Sequence, residues 1–150
     1  MKTLALNVGL KTGYADNTGK SGVWHIQAKG RTKGRLAEPT HIKFQNLWRK
    51  INLLGVPQTL ILKTIPTNYN NNDLLTYHQL TAIALLWASL NKIDIKWIDV
   101  NKHLNYTYEG EKGGRNAKII KKAQALGYEI NRYYEGEAIL MYDWWLKGKS

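Results

Sequence analysis

The stretch that most limits how this chain can fold is its opening run, Thr3-Leu4-Ala5-Leu6-Asn7-Val8-Gly9. Leu4, Leu6 and Val8 carry the apolar pattern with Ala5 between them, and Asn7 is the one polar side chain from Leu4 to Gly9. A short apolar run closed by a glycine turn reads as a strand buried on both faces. A polar side chain in the middle of such a strand is costly to bury unless it has a partner or a job. Asn7 is therefore the first candidate functional residue.

The rest of the chain can be placed around that strand. Thr12–Asp16 reads as a second short strand, Asp16-Asn17-Thr18-Gly19 supplies turn chemistry, and Gly22–Ala28 reads as a third strand, giving an antiparallel meander. Between Gln27 and Leu36 lie Lys29, Arg31, Lys33 and Arg35, spaced by Gly30 and Gly34, a flexible basic arm too polar to pack. Pro39 and Thr40 open a helix to Leu54, with Ile42, Phe44, Leu47, Trp48 and Ile51 at helical spacing, and Gly55-Val56-Pro57 ends it. Gln58–Ile65 reads as a buried strand, and Pro66 with Asn68–Asn72 as a polar loop. Asp73 is the expected cap of a helix from Leu74 to about Asn91. That helix is apolar on more than one stripe, which predicts burial against its own sheet and against a second subunit. Ile93–Val100 follows as a strand, Asn101 to Gly114 as a loop, Asn116 to Leu126 as a helix ended by Gly127, and Tyr134 to Lys147 as the last helix. Strands first, then alternating helix and strand, predict an α/β domain with a mixed sheet and helices on both faces.

A chain of 150 residues is one domain by length, here 1–150, and buries one sizeable core. Lys and Arg number 22 against 11 acids, a formal charge of +11 that favours a polyanionic partner such as nucleic acid. The absence of cysteine excludes disulfides and thiolate metal sites. The amino terminus has no signal-peptide pattern, and the longest helical apolar run, near Leu80–Leu90, is too short to span a bilayer. The expectation is a cytoplasmic protein with no membrane partner and no small-molecule substrate. Besides the basic arm, cations gather at Arg115, Lys118 and Lys122, at spacings of three and four on one helix face, with Lys112 before them and Lys121 beside them. Beside the Gly113-Gly114 turn they form a candidate phosphate track. Phe44, Tyr69, Tyr106, Tyr108, Tyr133 and Tyr134 are candidate stacking or wedging side chains, with Tyr69 and Tyr106 favoured; Trp24, Trp87, Trp97 and Trp144 read as core or interface. Gly13 to Ser21 resembles a P-loop but has the wrong spacing and no following helix. His25, His41, His78 and His103 are too scattered for a metal set or a triad.

Three stretches resemble one family. The first strand with Gly9-Leu10 and Gly13 looks like strand one of the RuvC-type Holliday junction resolvases, whose usual form carries an aspartate where this chain has Asn7. Lys112-Gly113-Gly114-Arg115-Asn116-Ala117-Lys118, with Ala125-Leu126-Gly127-Tyr128 after it, looks like the family's Gly-rich turn, helix and Gly-Tyr. Glu135-Gly136-Glu137-Ala138-Ile139-Leu140 looks like its last acidic segment. The resemblance implies a ribonuclease-H-like mixed five-stranded sheet, a homodimer, branched or duplex DNA as partner, and the compact form carried by phages, acting in the host cytoplasm. It also implies two magnesium or manganese ions on four carboxylates, which polarise a phosphate and generate the attacking hydroxide. Those four positions fall here on Asn7, Lys63, Tyr134 and Glu137. A one-residue slip does not restore the acids, since none precedes Asp16 and none lies between Glu38 and Asp73. Removing one unit charge at about 4 Å from a divalent ion forfeits roughly 8 kcal/mol at an effective dielectric near 20, before screening. The expectation is a branched-DNA-binding protein with impaired or absent nuclease activity and no cofactor, Lys63 standing where a metal would sit or snorkelling to solvent. Two alternatives remain. One is an active metal-dependent resolvase in which Asn7 replaces Asp; the other is a protein-interaction or regulatory module on the same fold.

Overall fold

In the computed structural model, residues 2–34, 36–65, 71–108 and 113–148 are described. The first strand, β1 (Thr3–Asn7), is buried along its whole length, as its apolar run predicts. It pairs antiparallel with β2 (Lys11–Asp16), which pairs antiparallel with β3 (Ser21–His25). The hairpin between β2 and β3 is closed by Asp16, whose Oδ1 accepts hydrogen bonds from the Thr18 and Lys20 backbone N–H groups at 2.8 and 3.2 Å. Gly19 completes that turn at φ +87°, a conformation that a side chain would strain.

The chain then crosses through α1 (Ile42–Leu53) to β4 (Thr59–Lys63), and through α2 (Asn71–Leu90) to β5 (Asp94–Ile98). β4 lies parallel to β1 and β5 parallel to β4, so the five-stranded sheet runs β3-β2-β1-β4-β5. Three further helices follow: α3 (Val100–Tyr108), α4 (Arg115–Ala125) and α5 (Tyr133–Leu146).

Alternation along β1 and β4 divides the core in two. Leu4, Leu6, Leu60 and Leu62 pack with Leu47 and Ile51 of α1 and Leu80, Ala84, Trp87 and Ala88 of α2. Ala5 and Ile61 pack on the other face with Ile98 and with Met141 and Trp144 of α5. A third cluster joins Ala15 of β2 to Ala123 of α4 and Ala138 and Ile139 of α5. Polar ties fix the layers. Trp87 Nε1 donates to Asn52 Oδ1 at 2.8 Å across α1 and α2, and Asn46 Nδ2 donates to the Ile26 carbonyl at 3.0 Å.

Four sequence expectations change. Val100–Tyr108 is a helix where a loop was expected across Asn101 to Gly114. Its start is set by Asp99, whose Oδ1 accepts from the Asn101 and Lys102 N–H groups at 2.9 and 3.1 Å, an N-cap. Helix α2 begins at Asn71, so Asp73 falls inside its first turn rather than at its cap. The core half of the 'core or interface' reading falls away for Trp97, which is 42% exposed on the edge strand β5. The basic arm is pinned at its base, where the Glu38 N–H donates to the Lys29 carbonyl and the Lys29 N–H donates to Glu38 Oε1, each at 2.9 Å.

The approach of α5 to the sheet depends on one missing side chain. A Cβ on Gly13 would lie 1.9 Å from the Tyr134 carbonyl oxygen and 2.6 Å from its carbon. Backbone cannot yield as the end of a flexible side chain does, so Gly13→Ala must push the start of α5 off β2. Overpacking of this kind costs about 1–3 kcal/mol. Chemical denaturation of Gly13→Ala should show a loss of at least that size, whereas Gly30→Ala, with open space around it, should be close to neutral.

Candidate functional site

The carboxyl ends of β1 and β4 lie side by side. The pairing that sets Thr3 against Thr59 and Ala5 against Ile61 carries, at the same offset, Asn7 alongside Lys63. Both side chains share the sheet face that carries Ala5 and Ile61, under α5. Across β1 on its other side, Asn7 is paired with Gly13, and it is over Gly13 that the first turn of α5 comes down. Three residues after Tyr134 the same helix delivers Glu137 above Asn7 and Lys63.

Both polar neighbours converge on one carboxylate oxygen. Asn7 Nδ2 donates to Glu137 Oε2 at 2.5 Å, and the Lys63 ammonium lies 3.3 Å from the same oxygen. The Lys63 and Glu137 side chains are 17% and 20% exposed, so the pair is sheltered yet open to the cleft beside it. Asn7, mostly buried, meets the condition set by its sequence position, because its amide has a partner.

This triad lines a cleft of about 550 Å³. Tyr134 lines it too, so all four family positions come to one place. The Tyr133 and Tyr134 rings lie with centroids 3.9 Å apart at a tilt of 31°, and the Lys11 ammonium sits 5.5 Å from the Tyr134 ring centre. Arg115 and Asn116, at the start of α4, close another wall, and Thr76, Tyr77 and Thr81 of α2 a third. Lys11, Gln27, Thr76 and Tyr77 were not among the candidates from sequence. Lys11 alone left a readable signal, as a cation immediately after the Gly9-Leu10 turn.

The other candidates separate. Lys29, Arg31 and Lys33 are exposed on the pinned loop, while Arg35 and Lys112 lie outside the described residues, as does Tyr69. On α4, Arg115 and Lys121 are exposed and Lys118 is half-buried. Lys122 instead turns inward: its ammonium donates to the Tyr106 carbonyl and lies 4.2 Å from that ring's centre. Tyr106 belongs to α3 rather than to a polar loop. Its ring centroid lies 4.7 Å from that of Trp144, Lys147 is 4.9 Å from its centre, and its hydroxyl donates to Asp143. This cluster clasps α3, α4 and α5 together, so Tyr106 is not available for stacking on DNA.

The acids of the last segment separate as well. Glu135 accepts a hydrogen bond from Ser21 at 2.7 Å, and Asp143 pairs with Lys147 at 2.8 Å. Among the described residues Glu137 is thus the one carboxylate of the cleft lining. Among the described residues no three His, Cys, Asp or Glu side chains come together where they could hold a metal ion. A pair of divalent ions needs several anionic oxygens; one carboxylate, already engaged by an ammonium and an amide, does not fit it.

Five strands in this order, with helices on both faces, define a ribonuclease-H-like α/β fold. Within that class the architecture is that of RuvC. The RuvC of T. thermophilus in complex with a Holliday junction substrate superimposes with a TM-score of 0.67 at 10% identity, over 99% of this chain and 96% of that one. A Thermus thermophilus RuvC structure gives a TM-score of 0.62 at 10% identity with the same coverage. No protein-family model matches the chain, and no curated protein matches it. At this identity the likeness is one of fold. Among the described residues no helix is long and apolar enough to cross a membrane.

Beneath the cleft, His103 of α3 is buried at 2% exposure. Its pKa falls from 6.5 to about 3, mainly because burial disfavours the charged ring and next because of the Lys63 ammonium; a hydrogen bond with the Leu140 backbone opposes both. The folded value lies below the unfolded one, so between about 3 and 6.5 the unfolded chain binds the extra proton. Stability from this group is complete above 6.5 and is lost as pH falls through that window, by at most about 1.4 kcal/mol per pH unit. Urea denaturation of wild type and His103→Gln across this range should show the difference between them narrowing as the pH falls.

Proposed function

We propose that this protein binds branched DNA, a four-way junction in particular, and does not cut it efficiently. The observation that carries the reading is the Lys63 ammonium, 3.3 Å from Glu137 Oε2 at the position where the resemblance to RuvC-type resolvases calls for another carboxylate. The architecture supports the branched-DNA part, since one protein of this fold is held in complex with a Holliday junction substrate. The formal charge of +11 supports a polyanion. In this reading Asn7, Lys63, Tyr134 and Glu137 form the floor of the DNA cleft. Lys29, Arg31 and Lys33 on one side, with Arg115, Lys118 and Lys121 on α4, track backbone phosphates. Arg35 and Lys112 extend the two groups in sequence.

The chain acts as a homodimer in this reading. Leu75, Leu86 and Leu90 project from α2 at 57, 51 and 65% exposure, apolar surface that a second copy would cover. A four-way junction has two-fold symmetry through its branch point, and a two-fold dimer presents two equivalent clefts to it. Its place of action is the cytoplasm of the cell that holds the DNA.

The test is a gel-shift and cleavage assay on a synthetic four-way junction and on linear duplex, with magnesium, with manganese and with a chelator. Junction binding should be the tighter, and neither metal should produce strand scission. Affinity should fall steeply with salt, the logarithmic slope being about −4.5 if five phosphates are neutralised. Metal-dependent nicking by the native chain would overturn the loss of cleavage. Nicking confined to Asn7→Asp would favour a resolvase disarmed at one residue. Binding that is absent or indifferent to salt would favour a protein-interaction module.

A further inference from the structure

We propose that Lys63 is a built-in cation that seats one backbone phosphodiester in the cleft, so that DNA is held there with no requirement for divalent metal. The inference rests on the DNA-binding reading and deepens it.

The charge of the cleft is the starting point. Among the described residues its lining holds Lys11, Lys63 and Arg115 against the carboxylate of Glu137, a surplus of two positive charges. An anionic ligand therefore suits it, and a free divalent cation does not. Position is the second point. The Lys63 ammonium is placed at the carboxyl end of the central parallel strand by β4 and held over the sheet by Glu137. It is donor to one oxygen at 3.3 Å, while an ammonium carries three N–H groups. Its partial exposure puts the others within reach of a phosphate oxygen entering the cleft.

Glu137 and Asn7 act as positioning residues. Glu137 restrains a flexible four-carbon side chain, which otherwise loses rotamer entropy on binding, and Asn7 fixes the carboxylate by donating to the same oxygen. The Tyr133 and Tyr134 rings, tilted 31° to each other, line the same cleft as Lys63. A fixed ammonium thus supplies the phosphate-binding half of what a metal ion would supply. It provides no Lewis-acidic site from which to activate a water.

The experiment measures junction affinity in the presence of a chelator, for wild type, Lys63→Gln and Lys63→Arg, across a salt series. Each protein is also titrated with junctions carrying a single neutral methylphosphonate, scanned through the phosphates nearest the branch point. Wild-type binding should be unaffected by the chelator. Lys63→Gln should weaken binding by about tenfold and flatten the salt slope by about one unit, with Lys63→Arg restoring most of both. One methylphosphonate position should weaken wild type and leave Lys63→Gln unchanged. If wild type binds the junction, yet Lys63→Gln keeps the slope and no methylphosphonate position couples to it, the phosphate seat is wrong and the DNA-binding reading stands. If wild type fails to bind any DNA, the parent reading fails with it. Circular dichroism confirms that each variant is folded, and Lys63→Arg keeps the test decisive should Lys63→Gln unfold.

Discussion

The geometry of the site depends on the contact between Gly13 and the first turn of α5. A strand with a side chain at that point would hold the helix away from the sheet, because the nearest atoms are backbone. With only hydrogen there, Tyr134 and Glu135 settle onto β2, and Glu137 arrives one turn later over the ends of β1 and β4. Gly136 works in the same sense on the other side of α5, where a Cβ would meet Ile119 at 2.9 Å and Ile130 at 3.1 Å. The helix is wedged between sheet and α4 by two residues that lack side chains. The polar centre is therefore positioned by packing, and its chemistry is free to vary on a fixed frame.

On that frame the electrostatics are those of an internal ion pair. Where four carboxylates would repel one another and draw in divalent cations, one carboxylate is neutralised from within by Lys63 and by the Asn7 amide. Taking Lys63 and Glu137 out of water is costly singly and tolerable together, since each satisfies the other. The neighbouring His103 fits the same picture: it stays neutral because burial and the Lys63 charge both oppose its protonation. A cleft built this way presents positive charge to solvent without requiring an ion to do so.

Much of this was legible in the residues. The doubly buried first strand, the meander, the buried β4 and the two crossover helices follow from apolar period and turn chemistry, which act locally. Asn7 announced itself as a polar residue in a buried strand, whereas Glu137 was found through the resemblance of Glu135–Leu140 to the last acidic segment of the RuvC-type resolvases. Helix α3 was less legible. Its Asn-, Thr- and Tyr-rich sequence has weak intrinsic propensity, and what starts it is the cap at Asp99 together with the Thr64 hydroxyl accepting from the Val100 N–H. The inward turn of Lys122 was equally hidden, because it depends on Tyr106, a residue of a different helix. Tyr77 reaches the cleft through the placement of α2, which no local pattern encodes, whereas Lys11 left the trace of a cation just after the Gly9-Leu10 turn.

The convergence of two donors on Glu137 Oε2 also decides what an acid at position 7 would do. Replacing Asn7 by aspartate would exchange a donor for an acceptor 2.5 Å from a carboxylate oxygen. Two carboxylates at that distance cannot both remain charged without a cation between them. Lys63 is already beside one of them, and its ammonium would bridge both at less cost than stripping water from a magnesium ion. A single acidic substitution thus strengthens the internal ion pair before it creates a metal site. Beside Glu137, Lys63 already fills the place of a cation, and Asn7 supplies a second donor to the same oxygen.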